Sequence, residues 1–303
     1  MRRRLGAVLA VAWLVFGGYG AFSYAHDYYV YRGFGPPRHP PGVRSGTLVR
    51  VPFWSGALHA RRSYDAYLPT GYAAAAARGH RFGVLYLLHG SPGWPRLFVN
   101  AGALGVALDT LVARHAVAPF IIVMPDGRDG SFTSDTEWAD TAHGRYDSFV
   151  LDVVRAVDQR FPTVPDRAHR VLAGNSEGAY AAANLTLRHL STFAAFEAWS
   201  GYFRQSAGGV FKHAPASKLR ANSPADAVHG LRGAIARLPL SAYLYGGTSD
   251  PETRQLAPFA AGLRAAGATV TTDVREGGHD WRLWRTRTPA MLRWAAARMG
   301  ATR

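Results

Sequence analysis

The chain contains no cysteine, which excludes disulfide scaffolds, Cys-ligated zinc, a thiol nucleophile and a lipid-modified N-terminal cysteine. Lysine is nearly missing as well. Only Lys212 and Lys218 stand among 35 basic residues, so the positive charge is almost entirely arginine. With 20 acidic residues the formal net charge is +15 and the pI about 10.6, a balance that attracts anionic lipid, cell-wall polymer or nucleic acid. Apart from Arg2, Arg3 and Arg4 the arginines are scattered. No basic stripe interleaved with stacking aromatics is found, so nucleic acid is not an expected partner. Replacement of lysine by arginine throughout is the plainer account of the charge. Internal repeats, heptads and a collagen period are also missing. The sequence holds no HExxH, EF-hand loop, P-loop or dinucleotide fingerprint, and no cofactor or metal is expected.

What is present suits one large α/β domain: 303 residues, 48% of them hydrophobic, bury a sizeable core without a metal or disulfide staple. The N-terminus stands apart. Arg2–Arg4 precede an uncharged apolar run over residues 5–22, the pattern of a secretory or membrane-inserting segment. Two readings of residues 1–25 stay open: an uncleaved signal anchor, or a signal peptide cut after Ala25 at the small residues of Ser23-Tyr24-Ala25. The length of the apolar run favours the anchor, although it sits at the lower limit for spanning a bilayer. Either way the domain is expected outside the cytoplasm, with the membrane as a partner through this segment. Residues 26–45 carry four prolines, three glycines and a tyrosine cluster, and read as a linker or as an extended arm packed on the domain.

From residue 46 to 303, apolar runs of strand length alternate with helical patterns. Strands are expected at 48–53, 63–68, 83–88, 120–124, 170–173, 194–199, 242–245 and 269–274. Several are unbroken hydrophobic runs, as strands covered on both faces tend to be. Helices are expected near 99–115, 145–160, 177–190, 252–266 and 283–299, with apolar residues recurring at three and four, as in Phe149, Val150, Val153, Val154 and Val157. The alternation predicts an α/β fold with a mainly parallel sheet of about eight strands flanked by helices. The first two strands lack an intervening helix and predict an antiparallel start. The alanine run at 73–77 is a loop or short helix.

The chemistry starts at Gly174-Asn175-Ser176-Glu177-Gly178, a G-x-S-x-G between an expected strand and an expected helix. Five residues with three fixed occur by chance, but the strand-turn-helix context is what a nucleophile elbow requires. Ser176 would stand at a helix N-terminus, where backbone N–H groups meet a developing oxyanion. A helix-capping serine between turn glycines is the plain alternative.

A serine needs a base, and the base an orienting acid, in the chain order serine, acid, histidine. His279, in a glycine-rich loop between the last strand and the last helix, is the expected base. His189 lies three turns along the serine's own helix, and His213 and His229 sit where no strand aims them. Asp250 follows a buried strand at the edge where the serine and histidine loops emerge, and is the expected acid. Glu252 is its near rival, Asp226 lies in a less ordered stretch, and Asp280 is too close in sequence to orient the ring beside it. The oxyanion hole is expected from the backbone N–H groups of Ser91, in the loop Leu88-His89-Gly90-Ser91, and of Glu177. His89, closing a core strand, reads as a structural hydrogen-bonder.

Together the LLHG loop, GNSEG elbow, GGTSD acid loop and GGHDW histidine loop resemble the esterase family of the α/β-hydrolase superfamily. That family includes esterase D-type enzymes, feruloyl and enterochelin esterases and the mycobacterial mycolyltransferases. The resemblance spans residues 60 to 300 and implies a triad of Ser176, Asp250 and His279 with oxyanion amides on Ser91 and Glu177. Two departures stand out. Glu177 replaces the Met or Gln frequent beside the nucleophile and sets a negative charge near the site. The mycolyltransferases carry Glu as their acid and a different oxyanion loop.

The polar, aromatic segment 130–146 follows an expected strand end, where loops shape pockets. Trp138, Asp140 and Arg145 are expected to line the substrate site, or else to belong to a surface loop packed on itself. Trp199, Tyr202 and Phe203 form an apolar acyl pocket or simply close the core. The expected function is an exported serine esterase that hydrolyses a carboxylic ester, with an envelope lipid or conjugate as the substrate that the anchor and the charge suggest. Acyl transfer of the mycolyltransferase type and a catalytically silent envelope-binding protein are the rivals.

Overall fold

The computed structural model describes residues 2–131 and 135–300, with only the backbone described for residues 2–12 and 14. A long helix opens the chain, α1 (Arg2–Tyr31). It is followed by β1 (Thr47–Ser55), β2 (Ala60–Leu68), α2 (Tyr72–Ala77), β3 (Val84–Leu88), α3 (Arg96–Asn100), α4 (Leu104–Ala113) and β4 (Ile121–Pro125). A two-residue hairpin, β5 (Asp140–Thr141) and β6 (Gly144–Arg145), leads into α5 (Tyr146–Arg160). Then come β7 (Arg170–Asn175), α6 (Glu177–Arg188), β8 (Ala195–Trp199), three short helices α7 (Ala216–Ala221), α8 (Pro224–Ala227) and α9 (Arg232–Arg237), and finally β9 (Ser241–Gly247), α10 (Leu256–Ala265), β10 (Thr269–Arg275) and α11 (Trp281–Arg298).

The eight expected strands form one sheet in the order β1-β2-β4-β3-β7-β8-β9-β10. β2 runs against both β1 and β4, while every pairing from β4 to β10 is parallel. The central strands are buried along their whole length because helices cover both faces. Strand alternation assigns side chains to the two sides. Leu85 and Leu87 join Val171 and Ala173 under α4 and α11, whereas Val84, Tyr86 and Leu88 join Leu172 under α5 and α6. Phe149, Val150, Val153 and Val157, the apolar stripe of α5, are all in that second layer. A third cluster joins the outer face of α6 to α10 through Ala183, Leu187, Phe259 and Leu263.

The connections place the site. After β3 the chain crosses to β4 on one side, and the next large crossover delivers β7 on the other. The carboxyl ends of β3 and β7 therefore flank the point where strand order reverses, the crevice in which ligands of open α/β sheets bind.

The N-terminal region departs from the expected layout. α1 runs past Ala25 to Tyr31, because the first proline comes only at residue 36 and nothing before it opposes a helix. The left-handed backbone of Arg32 (φ 54°) and Gly33 (φ 83°) ends it. Among the described residues no helix is long and apolar enough to cross a membrane. The side chains of 5–12 and 14, on which the expected anchor largely rests, lie outside the described residues. Residues 26–45 form the packed arm rather than a free linker. Tyr29 stacks on Trp94 at 4.4 Å between ring centres. Asp109, completely buried, accepts hydrogen bonds from His39 Nε2 (2.9 Å), the Gly46 amide, the Tyr67 hydroxyl and the Thr70 amide. Four donors around one carboxylate satisfy its lone pairs and fasten the arm to α4 and β2.

Candidate active site

Ser176 occupies the turn between β7 and α6 with φ 55° and ψ −121°, a strained conformation for a residue with a Cβ. The turn closes because its flanking glycines permit backbone contacts that no side chain allows. A Cβ on Gly178 would lie 2.0 Å from the carbonyl oxygen of Leu88, and one on Gly174 2.3 Å from that of Gly178. The Ser176 amide donates to the carbonyl of Trp199 at 2.9 Å, which ties the turn to β8.

Ser176 Oγ lies 2.8 Å from His279 Nε2, and His279 Nδ1 lies 3.1 Å from both carboxylate oxygens of Asp250. Loops after β7, β9 and β10 thus bring together three residues spread over more than a hundred positions. The acid and histidine loops brace each other. The Ser249 amide donates to Gly277 O at 2.9 Å, and a Cβ on Gly247 would sit 2.1 Å from that same oxygen. Asp250 is buried, and burial pushes its carboxyl up. Hydrogen bonds from His279, the Ser200 hydroxyl and the Glu252 amide outweigh that effect and hold it below the usual carboxylate range. The group is an anion facing one imidazole nitrogen, and it selects the tautomer with hydrogen on Nδ1, leaving Nε2 as an acceptor toward the serine.

Glu252, Asp226, His189 and Asp280, also weighed in sequence, have partners elsewhere. Glu252 accepts from Gln255, Asp226 pairs with Arg204, and His189 pairs with Asp147. Asp280 caps α11 by accepting from the amides of Arg282 and Leu283. His89 is buried, accepts from the Gly127 amide through Nε2 and faces Gly90 O through Nδ1. Burial pulls its pKa down to about 4, which keeps the ring neutral. Ser91 and Gly90 border Ser176 at the floor of a cleft of about 590 Å³. Glu177 begins α6, so its amide is among those that lack an intrahelical acceptor.

The walls of this cleft differ from those expected. Trp138 is completely buried, donates from Nε1 to His89 O at 3.1 Å and packs on Gly127, so it supports the β3 loop from beneath. Arg145, exposed, bonds Ser148 and faces Asp140, and it borders a separate hollow with Leu58 and His59. Tyr202 stacks on Tyr180 at 5.1 Å and donates to Glu137. Trp199 and Phe203 close the core against Phe98 and Phe259. None of these five lines the cleft. Its walls are Trp281 and Trp284 of α11 together with Tyr28, Arg32 and Phe34 of the arm. Trp281 was not among the expected lining residues, although it stands two positions after His279 in the GGHDW motif. The arm was detectable only as a tyrosine cluster in a proline-rich stretch.

The charge expected from Glu177 is opposed by its surroundings. Burial, with Asp135 and Glu137 nearby, pushes its carboxyl well above the ordinary range and favours the neutral form. Burial and Asp135 likewise raise Glu137 to about 7, against the hydrogen bonds of Tyr202 and Gln205. The folded chain therefore holds this proton to higher pH than the unfolded chain does, and stability falls as pH rises from about 4.5 through 7. Allowing for solvent at a partly exposed side chain, the loss is of order 1 kcal/mol, or roughly 2–4 °C in Tm. Glu137→Gln is expected to flatten the fall in Tm between pH 5 and pH 8, measured by thermal melts. An unchanged slope contradicts the assignment.

A mostly parallel eight-stranded sheet with a serine on a sharp β–α turn, facing a histidine and an acid from later loops, defines an α/β hydrolase. The chain belongs to the family described as "Putative esterase", whose model matches residues 55–295. It is 26% identical over 266 residues to the endo-1,4-beta-xylanase/feruloyl esterase of Xylanibacter ruminicola, covering 86% of this chain and 31% of that one. The chain thus spans about a third of that relative's length. Among solved structures, a ferulic acid esterase superposes with a TM-score of 0.75 at 23% identity, covering 84% of this chain and 99% of the other. The S-formylglutathione hydrolase of Agrobacterium tumefaciens gives 0.69 at 14% identity, with 88% and 100% covered. At such identities these structures share the fold.

Proposed function

We propose that the chain is a serine hydrolase of carboxylic esters, exported from the cytoplasm. The observation that carries the reading is the 2.8 Å contact of Ser176 Oγ with His279 Nε2, while Nδ1 of the same ring rests on buried Asp250. In this mechanism Ser176 Oγ attacks the ester carbonyl carbon and His279 Nε2 takes its proton. Asp250 fixes the tautomer and stabilises the imidazolium without itself gaining a proton. The amides of Ser91 and Glu177 receive the tetrahedral oxyanion. Collapse expels the alcohol, which takes the proton from His279. Water then attacks the acyl-enzyme by the same route and frees the acid.

The cleft walls favour an aromatic or otherwise bulky apolar group on the ester, because Trp281, Trp284, Tyr28 and Phe34 face it. The likeness to feruloyl esterases supports an aromatic acyl group. Export rests on Arg2–Arg4 ahead of the apolar run 5–22.

The test is turnover of the full chain with p-nitrophenyl acetate and methyl ferulate, followed by product analysis with and without added methanol. Release of the free acid from at least one ester is expected. Folded protein that turns over neither ester overturns the reading, and a methyl ester accumulating in preference to acid turns it into an acyltransferase.

A further inference from the structure

Arg32 has an unusual position. It follows the last residue of α1, adopts a left-handed backbone and brings its side chain to the border of the cleft that holds Ser176 and His279. Its guanidinium lies 5.2 Å from the ring centre of Trp94 and 5.7 Å from that of Tyr29. Those two rings stack on each other, so the arm and the loop after β3 jointly hold the cation. Among the described residues no carboxylate pairs with it, and its Nε is buried without an acceptor. Arg62, Arg167 and Arg285 likewise have no carboxylate among the described residues, but each donates to a backbone carbonyl, and other arginines have an anion. Arg50 and Arg96 share Asp65, Arg170 has Asp158, and Arg287 has Asp273.

A second arginine and one carboxylate stand at the same cleft. Arg282 also borders it and forms no ion pair among the described residues. The one carboxylate at the rim, Asp280, is engaged in capping α11. A guanidinium held over aromatic rings at cation–π distance keeps its N–H groups free for a fork that matches the paired oxygens of a carboxylate or phosphate. The ring contacts also remove part of the side-chain freedom that a surface arginine loses on binding.

We propose that Arg32 forms an anion subsite of the cleft, so that the enzyme prefers esters whose non-reacting end carries a carboxylate or phosphate. The inference rests on the esterase reading and deepens it by naming the substrate class. It also assigns the arm a role in specificity: without residues 28–34 the cleft loses one wall and this cation.

The experiment compares isosteric esters on the full chain. 4-Carboxyphenyl butyrate against 4-carbamoylphenyl butyrate tests an anion on the alcohol side. Monoester hemisuccinates of 4-methylumbelliferone against its butyrate test one on the acyl side. The wild type is expected to favour the anionic member of one pair by at least about 5-fold in kcat/KM, mainly through KM, with the preference shrinking between 50 and 500 mM salt. Arg32→Gln is expected to bring that ratio close to one, and Arg32→Lys to retain part of it. A wild-type ratio near one in both pairs overturns the proposal. So does a ratio that Arg32→Gln leaves intact, or one that only Arg282→Gln abolishes. Because the neutral esters report hydrolysis by themselves, turnover of them without anion preference separates failure of this inference from failure of the esterase reading. As a readout independent of activity, binding of the anionic ester of the favoured pair to the Ser176→Ala protein by calorimetry is expected to weaken by a similar factor when Arg32 becomes Gln. Equal affinities count against the subsite.

Discussion

Ser176→Ala is expected to lower ester turnover by about 10⁴–10⁶-fold while leaving the thermal transition intact. Loss of Oγ removes the only group placed 2.8 Å from His279 Nε2, and no bond to the acyl group then forms. The fold has little reason to respond, because that hydroxyl faces the cleft and the turn is held by the backbone of Gly174, Gly178 and Trp199. Intact-mass analysis after a fluorophosphonate supplies the second readout: one adduct on the wild type and none on the variant. Retention of a tenth or more of the turnover, or an adduct that persists, places the nucleophile elsewhere. Among the described residues Ser91 is the other serine bordering the cleft and would be the next to replace.

Asp250→Asn carries the second-largest expected effect, a fall of about 10⁴-fold in kcat near neutral pH. The amide fits the same space and still meets the Glu252 N–H through its oxygen, but its NH₂ can face His279 Nδ1. That reverses the tautomer and leaves hydrogen on Nε2, where the serine needs an acceptor. The same change alters acid stability in a predictable direction. The Asp250 carboxyl is held below its ordinary range in the folded chain, so its contribution is complete above the unfolded pKa and disappears as pH falls through the folded one. The difference in Tm between wild type and variant should therefore be largest above about pH 5 and shrink toward pH 2. A difference that grows on acidification contradicts the assignment. Wild-type turnover in Asp250→Asn transfers the orienting role to another residue.

Much of this architecture was legible from local pattern. The eight strands of the main sheet were foreseen, the central ones because a strand covered on both faces must be apolar throughout, and runs such as residues 84–88 and 121–124 can hardly be anything else in a chain that alternates with helical periods. The antiparallel start at β1–β2 followed from the missing helix between them. The short helices α7 to α9 were missed, since stretches of four to six residues hold too little periodicity to register. At the site, the G-x-S-x-G spacing is a local steric demand, set by contacts as close as 2.0 Å. Asp250 and His279 were reachable because chain order and loop position constrain which residues meet at one sheet edge.

The walls of the cleft belong to a different category. Trp138, Arg145 and Tyr202 sit in segments as polar and irregular as any substrate loop, yet Trp138 is completely buried beneath the β3 loop and Arg145 points to another hollow. Conversely the arm, which composition marks as a proline-rich connector, is fastened by a buried Asp109 some seventy residues from His39 and brings Arg32 to the border of the cleft that holds Ser176. Patterns along a chain report which backbone a segment adopts and which face it buries, because those depend on neighbours three or four residues away. Which distant side chain completes a cavity depends on contacts between segments whose separation in sequence carries no signal. The meeting of Ser176, Asp250 and His279, proposed as nucleophile, acid and base, was therefore legible in the chain, whereas the lining of the cleft was settled only by how the arm, the β3 loop and α11 pack together.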